Sequence, residues 1–447
     1  MTETIHIQKT ERFDVVVCGG GTAGFCAAVA AARGGAKTAL IEKWGMLGGT
    51  MTVGGVPAPA LFHAHGKQII AGIGWELMTR LSEQGFAQLP RPPFTAKHPQ
   101  MAVEINAFQA AVLMDDMALS AGVQLHFHQP VAYVRSESGH VDSILICGTN
   151  GLSRVEGKVF IDCTGDGDVA AMAGAAYELS EELQPASLNS VLVNAQARPQ
   201  NMQAIVEDYR RRVASGELSP HDIWGGDPSA VIQGHGRGRG ADFRENYSIN
   251  VFSNLNHVYP FNGADDLSRT QGEIEGRKSI ARIVRWLNEA VPGYEHAYVA
   301  ACSPQVTARE SRRILGNAYM TGEDYVNGVC PPDSVCYSFY PIDVHQGDEN
   351  APLDNVFLEQ GRVPGIPYGA LVARGFDNLM MAGRIASGDR RAQSAYRVQA
   401  SCMAMGEAAG TAAAMACAGQ IGVDALDPAL LRARLNANGM IVPGLSH

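Results

Sequence analysis

The 447-residue sequence has no Cys-x-x-Cys pair, no internal repeat, no low-complexity segment, and no run of roughly 18 uncharged apolar residues. Each absence excludes a class. The nine cysteines are odd in number and scattered, at positions 18, 26, 147, 163, 302, 330, 336, 402 and 417. Several lie inside apolar runs, where reduced cysteine behaves as a small hydrophobe. That pattern excludes a metal cluster or a disulfide scaffold, so the expectation is no metal and a reducing, cytoplasmic setting. The nearest approach to a membrane span, Ala400–Ala418, is mostly alanine and glycine and carries Glu407, so no span is expected. The opening twelve residues are too polar for a signal peptide. Positive charge is in the minority, with 45 Asp+Glu against 35 Lys+Arg and a formal net charge of −10. That balance argues against nonspecific nucleic-acid binding and for an anionic surface.

What is present is concentrated in one stretch. Asp14-Val-Val-Val-Cys18 is an apolar run that meets Gly19-x-Gly21-x-x-Gly24, followed by the alanine-rich Phe25–Arg33 and a second apolar run, Thr38–Ile41, ending in Glu42-Lys43. Gly19 suits a tight strand-to-helix turn, Gly21 lets a pyrophosphate approach the backbone, and Gly24 lets helix and strand pack closely. The helix N-terminus then offers unpaired N–H groups to phosphates. Glu42 stands at about the 20-residue spacing at which a carboxylate grips a ribose. A dinucleotide site is the reading; a glycine-rich turn that happens to fit is the bland alternative. No second such unit stands on a strand-to-helix turn, so a dedicated NAD(P)H module is not expected.

Beyond it, Trp44–Gly55 is a glycine-rich loop able to lie against a bulky flat ligand. Helices are expected over 69–84, 106–121, 270–291 and 396–418, and another from about Val169, with Asp166 or Asp168 as its N-cap. Four β-like runs at 124–128, 131–135, 141–147 and 155–161 suggest a small antiparallel meander inserted into a parallel sheet, spanning about 124–161. Asn378–Arg384 reads as a buried strand. Gly234–Gly240 lacks phosphate-loop spacing and reads as a basic loop, or as a lid over an anion.

Assembled, the chain resembles the FAD-dependent oxidoreductase family related to succinate dehydrogenase and fumarate reductase flavoproteins. The resemblance spans nearly all of it. It is carried by Gly19–Lys43, Leu47–Gly49, Asp162–Asp166, Arg309–Ile314, Tyr340–His345 and Asn378–Gly410. It implies an α/β fold: a Rossmann-like, glutathione-reductase-like FAD/NAD(P)-binding domain with an inserted α+β substrate cap. The expected division is 1–180 and 346–447 for the FAD domain and 181–345 for the cap. It further implies that Gly19, Gly21 and Gly24, with Thr22 and Ala23, hold the pyrophosphate, and that Glu42 and Lys43 serve the adenosine end. Gly48, Gly49 and Thr50 would follow the ribityl chain, and Val131 would present backbone to the adenine. Thr164 and Gly165 would flank the phosphates, and Gly383 and Arg384 the ribityl-phosphate side. The helix N-terminus at Val398 would face the pyrimidine end of the flavin, where reduced-flavin charge gathers. Covalently flavinylated relatives carry a histidine after the second strand; Leu47-Gly-Gly-Thr-Met-Thr has none, so noncovalent FAD is expected. The dicarboxylate-site pattern is also missing, which disfavours succinate or fumarate.

For the chemistry, Tyr340, Asp343 and His345 fall within six residues, and 343 and 345 share a side in an extended segment. His345 oriented by a carboxylate suits acid/base work near neutral pH; a structural His–Asp contact is the alternative. Arg309-Glu-Ser-Arg-Arg313 looks like a helix opening whose arginines bind a carboxylate, or else a salt-bridged seam around Glu310. Arg384, Arg390, Arg391 and Arg397 form a second basic group. His63 and His65 alternate as two same-face imidazoles that hold a metal, line a substrate pocket, with His63 the catalytic candidate, or belong to an ordinary loop. His235 and His257 read as surface or loop residues, and Cys302, Cys330 and Cys336 as unlike the cysteines of disulfide reductases. The function expected is hydride transfer between flavin N5 and a small organic, anionic substrate. The alternatives are a flavin monooxygenase, a redox-neutral flavoenzyme, or an FAD-binding electron-transfer subunit. A redox partner or a homo-oligomer is left open.

Overall fold

The structure is a computed structural model that describes the chain except residues 1–5, 95–100, 196–197, 199, 224–225, 227, 230–231, 233–249, 253–255, 348–352 and 447. Among the described residues, seven strands form the main sheet: β1 (Ile7–Cys18), β2 (Thr38–Ile41), β3 (Gln124–His126), β4 (Val131–Glu137), β5 (His140–Gly148), β6 (Gly151–Asp162) and β7 (Leu379–Met381). Their spatial order is β3-β2-β1-β6-β5-β4, with β7 also paired to β6. β3, β2, β1, β6 and β7 are mutually parallel, whereas β5 pairs antiparallel with β6 and β4 with β5. One edge of β6 is therefore shared, with Gly151–Glu156 against β5 and Phe160–Asp162 against β7. Gln124–His126 thus belongs to the parallel sheet and not to the meander, which consists of β4, β5 and β6. A short apolar run next to a turn reads the same in either setting.

The sheet partitions its side chains by the two-residue period of a strand. Val15, Val17, Leu40, Ile161 and Met380 point into one core, shared with helices α1 (Thr22–Arg33), α2 (Ile73–Glu83) and α3 (Ala107–Ser120). Val16, Cys18, Ile41, Phe160 and Met381 point into a second core with β4, β5 and α4 (Asp168–Ala173). Covered on both faces, the central strands are apolar without alternation, which is why they read as continuous runs.

The middle of the chain carries its own clusters. Trp286 and Leu287, on α5 (Asp266–Ala290), pack with Tyr209 and Leu192; Val258 and Phe261 pack with Leu188 and Ile280. A three-stranded antiparallel sheet, Asn250–Phe252, Ser190–Val193 and Tyr298–Cys302, lies here. The expected 234–240 loop lies outside the described residues.

The last long helix, α6 (Gln399–Gly419), crosses α1 at close range, because a methyl group on Gly406 or Gly410 would overlap the carbonyl oxygens of Ala23 and Ala27. Residues 396–418 are not one helix. A short helix, Arg390–Tyr396, ends first, and Val398 is extended (φ −67°, ψ 151°) before α6 begins. Nor does a helix open at Arg309. Arg313–Ile314 pairs antiparallel with Tyr177–Glu178, and the i,i+3 charge pattern that mimics a helix surrounds Glu310 with Arg313 (2.7 Å) and Arg390 (3.0 Å). Arg313 and Arg390 thus form a salt-bridged seam around Glu310, Arg312 pairs with Asp168 at 2.9 Å, and Arg309 lines the cavity described below.

Candidate active site

The carboxyl ends of β1, β2, β6 and β7 open into a single elongated cavity, where ligands of open parallel sheets bind. The Gly19–Gly24 turn forms its floor. Gly21 caps α1 without any side-chain hydrogen bond, and a Cβ built there would meet only Gly49 Cα, at 3.9 Å, so the space before it is open. The first N–H groups of α1 face that space. Gly24 does not line the cavity; a Cβ there would strike the Gly19 carbonyl, so this glycine serves the packing of the turn. Gly48 is likewise outside the lining, donating its N–H to Gly20 O at 2.8 Å, whereas Gly19, Thr22, Ala23, Gly49 and Thr50 line the cavity.

At one end stand Glu42, Lys43, Trp44 and Val131. Glu42 is buried, accepts from Gly20 N (2.6 Å) and Trp44 N (2.8 Å), and has its carboxyl pushed upward by burial against those hydrogen bonds. The opposite wall comes from Thr164, Gly165, Gly383 and Arg384. Here Asp162 holds the turn, accepting from Thr164 N (2.9 Å), Thr164 Oγ1 (2.7 Å) and Ala170 N (2.8 Å), with burial raising its carboxyl to about 6. Neither Asp166 nor Asp168 caps α4. Gly167 (φ +69°) is the N-cap, and Asp166 instead binds Arg384 (3.0 Å) and Arg269 (2.5 Å).

The other end gathers the titratable side chains. Arg309, Tyr340, Asp343, His345 and Arg397 all line it, beside Val398 and Gln399. The strand Ile342–Val344 puts Asp343 and His345 on one side, with His345 Nε2 3.3 Å from Asp343 Oδ2 and Arg397 Nη2 3.5 Å from the same oxygen. Burial, then the charge of Arg309, lowers His345 to about 4 against the pull of Asp343. Burial alone would raise Asp343, but the hydrogen bond and charges of His345, Arg397 and Arg309 keep it ionised, at about 2. His345 is therefore neutral at pH 7 rather than poised near it. Tyr340 is pushed up to about 12 by burial and by Asp343.

His63 does not line the cavity. It is buried, stacked on Phe94 (centroids 4.1 Å, 22° between planes) and edge-on to Trp75, and burial lowers it to about 4. His65 has φ +49° and packs on Phe339, so the two imidazoles do not act as a pair; the positive φ breaks the alternation. His257, read as a surface residue, is buried and edge-on to His345 at 5.3 Å. His235 lies outside the described residues. Cys302 and Cys330 are exposed, Cys336 is buried, and none lines the cavity, whereas Cys163 and Cys402 do. Among the described residues no metal-ligating group of three or more His, Cys, Asp or Glu occurs, and no helix is long and apolar enough to cross a membrane. Sequence reasoning missed the middle-segment wall, Phe261, Gly263, Arg269 and Gln305–Ala308, for which no local signal exists.

A parallel sheet with a glycine turn, an acid after the second strand and a cavity across the strand ends defines a dinucleotide-dependent α/β protein. The profile of the FAD dependent oxidoreductase family matches residues 14–435, and the chain belongs to that family. It is an oxidoreductase, and its cofactor is FAD. Curated relatives match over a short stretch: a dihydrolipoyl dehydrogenase of Trypanosoma brucei brucei (57% identical over 53 residues, 12% of this chain and 11% of that one) and a leghemoglobin reductase of Glycine max (56% over 52 residues, 11% and 10%). The matched stretch spans about a tenth of those relatives' length. Solved structures include a geranylgeranyl bacteriochlorophyll reductase-like protein of Thermoplasma acidophilum (12% identity, TM-score 0.45, 98% of this chain and 94% of that one). The flavin-dependent monooxygenase PieE, in complex with FAD and substrate, is similar over 41% of this chain and 35% of its own (16% identity, TM-score 0.29).

The cavity suits FAD on its own geometry. A Cβ on Gly21 would stand in open space, the N-termini of α1 and α6 carry no side-chain cap, and Arg384 Nε, Arg397 Nε and Gln399 Oε1 are buried with no hydrogen-bond partner among the described residues.

Proposed function

We propose that this oxidoreductase is of the dehydrogenase or reductase type and exchanges a hydride with a small organic substrate bearing an anionic group. Bound FAD supplies the two-electron acceptor or donor, at flavin N5. The observation that supports the reading is the convergence of Arg309, Tyr340, Asp343, His345 and Arg397 on the cavity that also contains Gly21, Glu42 and Arg384. In this reading Gly19, Gly21, Thr22 and Ala23 cradle the pyrophosphate, with Thr164, Gly165, Gly383 and Arg384 opposite. Glu42, Lys43 and Val131 hold the adenosine end; Gly49, Thr50 and Val398 flank the ribityl chain and flavin. Attachment is noncovalent. The division into a glutathione-reductase-like FAD domain (1–180 and 346–447) and a cap (181–345) belongs to the same reading, as does a relation to succinate dehydrogenase and fumarate reductase flavoproteins.

The residues of the far end divide the work. Ionised Asp343 accepts from His345 Nε2–H, which fixes the tautomer in which Nδ1 takes or returns the substrate's proton. Arg309 and Arg397 orient the anionic group, the planar guanidinium being suited to bidentate carboxylate contact. The middle-segment wall excludes water.

The test is anaerobic bleaching of the purified yellow protein by candidate substrates, followed in His345→Ala. The variant should keep its flavin and be reduced about 10²–10⁴-fold more slowly. Unchanged bleaching would remove His345 from the chemistry, and incorporation of an oxygen atom from isotopically labelled dioxygen into the product would replace the reading with a monooxygenase.

A further inference from the structure

Asp166, on the cavity wall, holds two arginines from distant parts of the chain. Its side chain is 6% exposed. Oδ1 accepts from Arg384 Nη2 at 3.0 Å, and Oδ2 accepts from Arg269 Nη2 at 2.5 Å. Arg269 also donates Nε to Gly263 O at 2.5 Å, and Gly263 approaches so closely that a Cβ on it would lie 2.9 Å from Asp166 Oδ1. Across the carboxylate, Arg384 lies close against Gly165: a Cβ on that glycine would stand 2.8 Å from the guanidinium carbon. Thr164, Gly165, Asp166, Gly263, Arg269 and Arg384 all border the cavity.

Three cations, Arg384, Arg269 and Lys43, act on Asp166 and hold its carboxyl below the ordinary range despite its burial. Without that carboxylate, two guanidinium groups would face each other with no shared counter-ion. With it, they are assembled before any ligand arrives. A diphosphate lying between the N-terminus of α1 and Arg384 then meets cations already in place, so ordering them adds no cost on binding.

We propose that Asp166 is a positioning residue for the cofactor's diphosphate: it holds Arg384 and Arg269 against the phosphate side of the cavity. The inference rests on the placement of FAD given above. It makes a prediction of unusual sign. Simple charge counting says that removing an anion beside a diphosphate should tighten binding; positioning says that it should weaken it.

The experiment measures FAD, ADP and adenosine dissociation constants for the full chain, stripped of flavin, by flavin fluorescence quenching and by calorimetry. Wild type is compared with Asp166→Asn, Arg269→Gln and the double variant. Expected is a loss of about tenfold or more for FAD and ADP in Asp166→Asn, with adenosine affinity unchanged within about twofold. Arg269→Gln should show a smaller loss of the same kind, and the double variant less than the product of the two, since the residues act as one unit. Asp166→Asn that binds FAD as tightly as wild type, or tighter, overturns the proposal, as does equal loss across FAD, ADP and adenosine. If Asp166→Asn fails to fold, Arg269→Gln decides in the same terms: unchanged FAD and ADP affinity overturns it. Failure of wild type to take up FAD would instead overturn the cofactor placement, and this inference with it.

Discussion

Glu407 closes the N-terminus of α2: its Oε2 accepts the backbone N–H of Ile73 at 2.7 Å, across 334 positions of chain. α2 has Gly72 as its N-cap and no side-chain cap of its own, so a residue on α6 supplies the missing acceptor. A Cβ on Gly72 would overlap the Glu407 carboxylate, which shows how closely the two helices are locked. Glu407→Ala should destabilise the protein by about 1–3 kcal/mol, the usual cost of a buried donor left unmet, read as a lower urea midpoint.

The same residue sets a pH slope on the alkaline side. Burial raises its carboxyl from 4.5 to about 8, against the hydrogen bond of Ile73. The folded state thus keeps a proton that the unfolded chain releases. Its contribution is complete below about pH 4.5 and is lost as pH rises towards about 8. Glu407→Gln should flatten the fall in stability over that window. Superimposable stability–pH curves for the two proteins would refute the assignment.

On the acid side, His345 and His63 act in the opposite sense. Each is lowered from 6.5 to about 4 by burial, with Arg309 adding to the effect on His345. The unfolded chain therefore binds protons that the folded protein refuses. Stability present above about pH 6.5 is lost as pH falls to about 4. Urea midpoints of His63→Gln, measured through that interval, should fall less steeply than those of wild type, with no effect on reduction by substrate.

Two glycines of one turn should fail differently. Gly21→Ala places its methyl in open cavity at an ordinary φ of −67°, so the protein should fold with its thermal midpoint nearly unchanged yet retain little flavin. Gly24→Ala drives a methyl into the Gly19 carbonyl and should cost stability first. Flavin content and thermal midpoint, measured side by side, separate the two.

Gly410→Ala tests the contact between α1 and α6. Its methyl would overlap Ala27 O, and helices held this close separate only by shifting backbone. A loss of about 1–3 kcal/mol is expected, measured by denaturant unfolding.

How much of this was legible follows from the range of each interaction. Gly19, Gly21, Gly24 and Glu42 could be read because a strand, a tight turn, a helix and an acid follow one another within about thirty residues, and each imposes a local demand on backbone shape. Asp343 and His345 could be read because an extended segment brings alternate residues to one side. Arg309–Arg313 was misleading for the same local reason. Spacing that suits a helix equally suits an extended seam in which Glu310 meets Arg390, 80 residues away.

The amino-acid order by itself determined the glycine turn, the family and the cofactor, since these depend on steric freedom and hydrogen-bond donors set by neighbours in the chain. Tertiary structure alone decided that His257 lies beside His345, that His63 stands apart from the cavity, and that Asp166 joins Arg269 to Arg384. Those contacts depend on which distant surfaces exclude water together, and the long-range pairing of charges that follows leaves no periodic trace in a sequence.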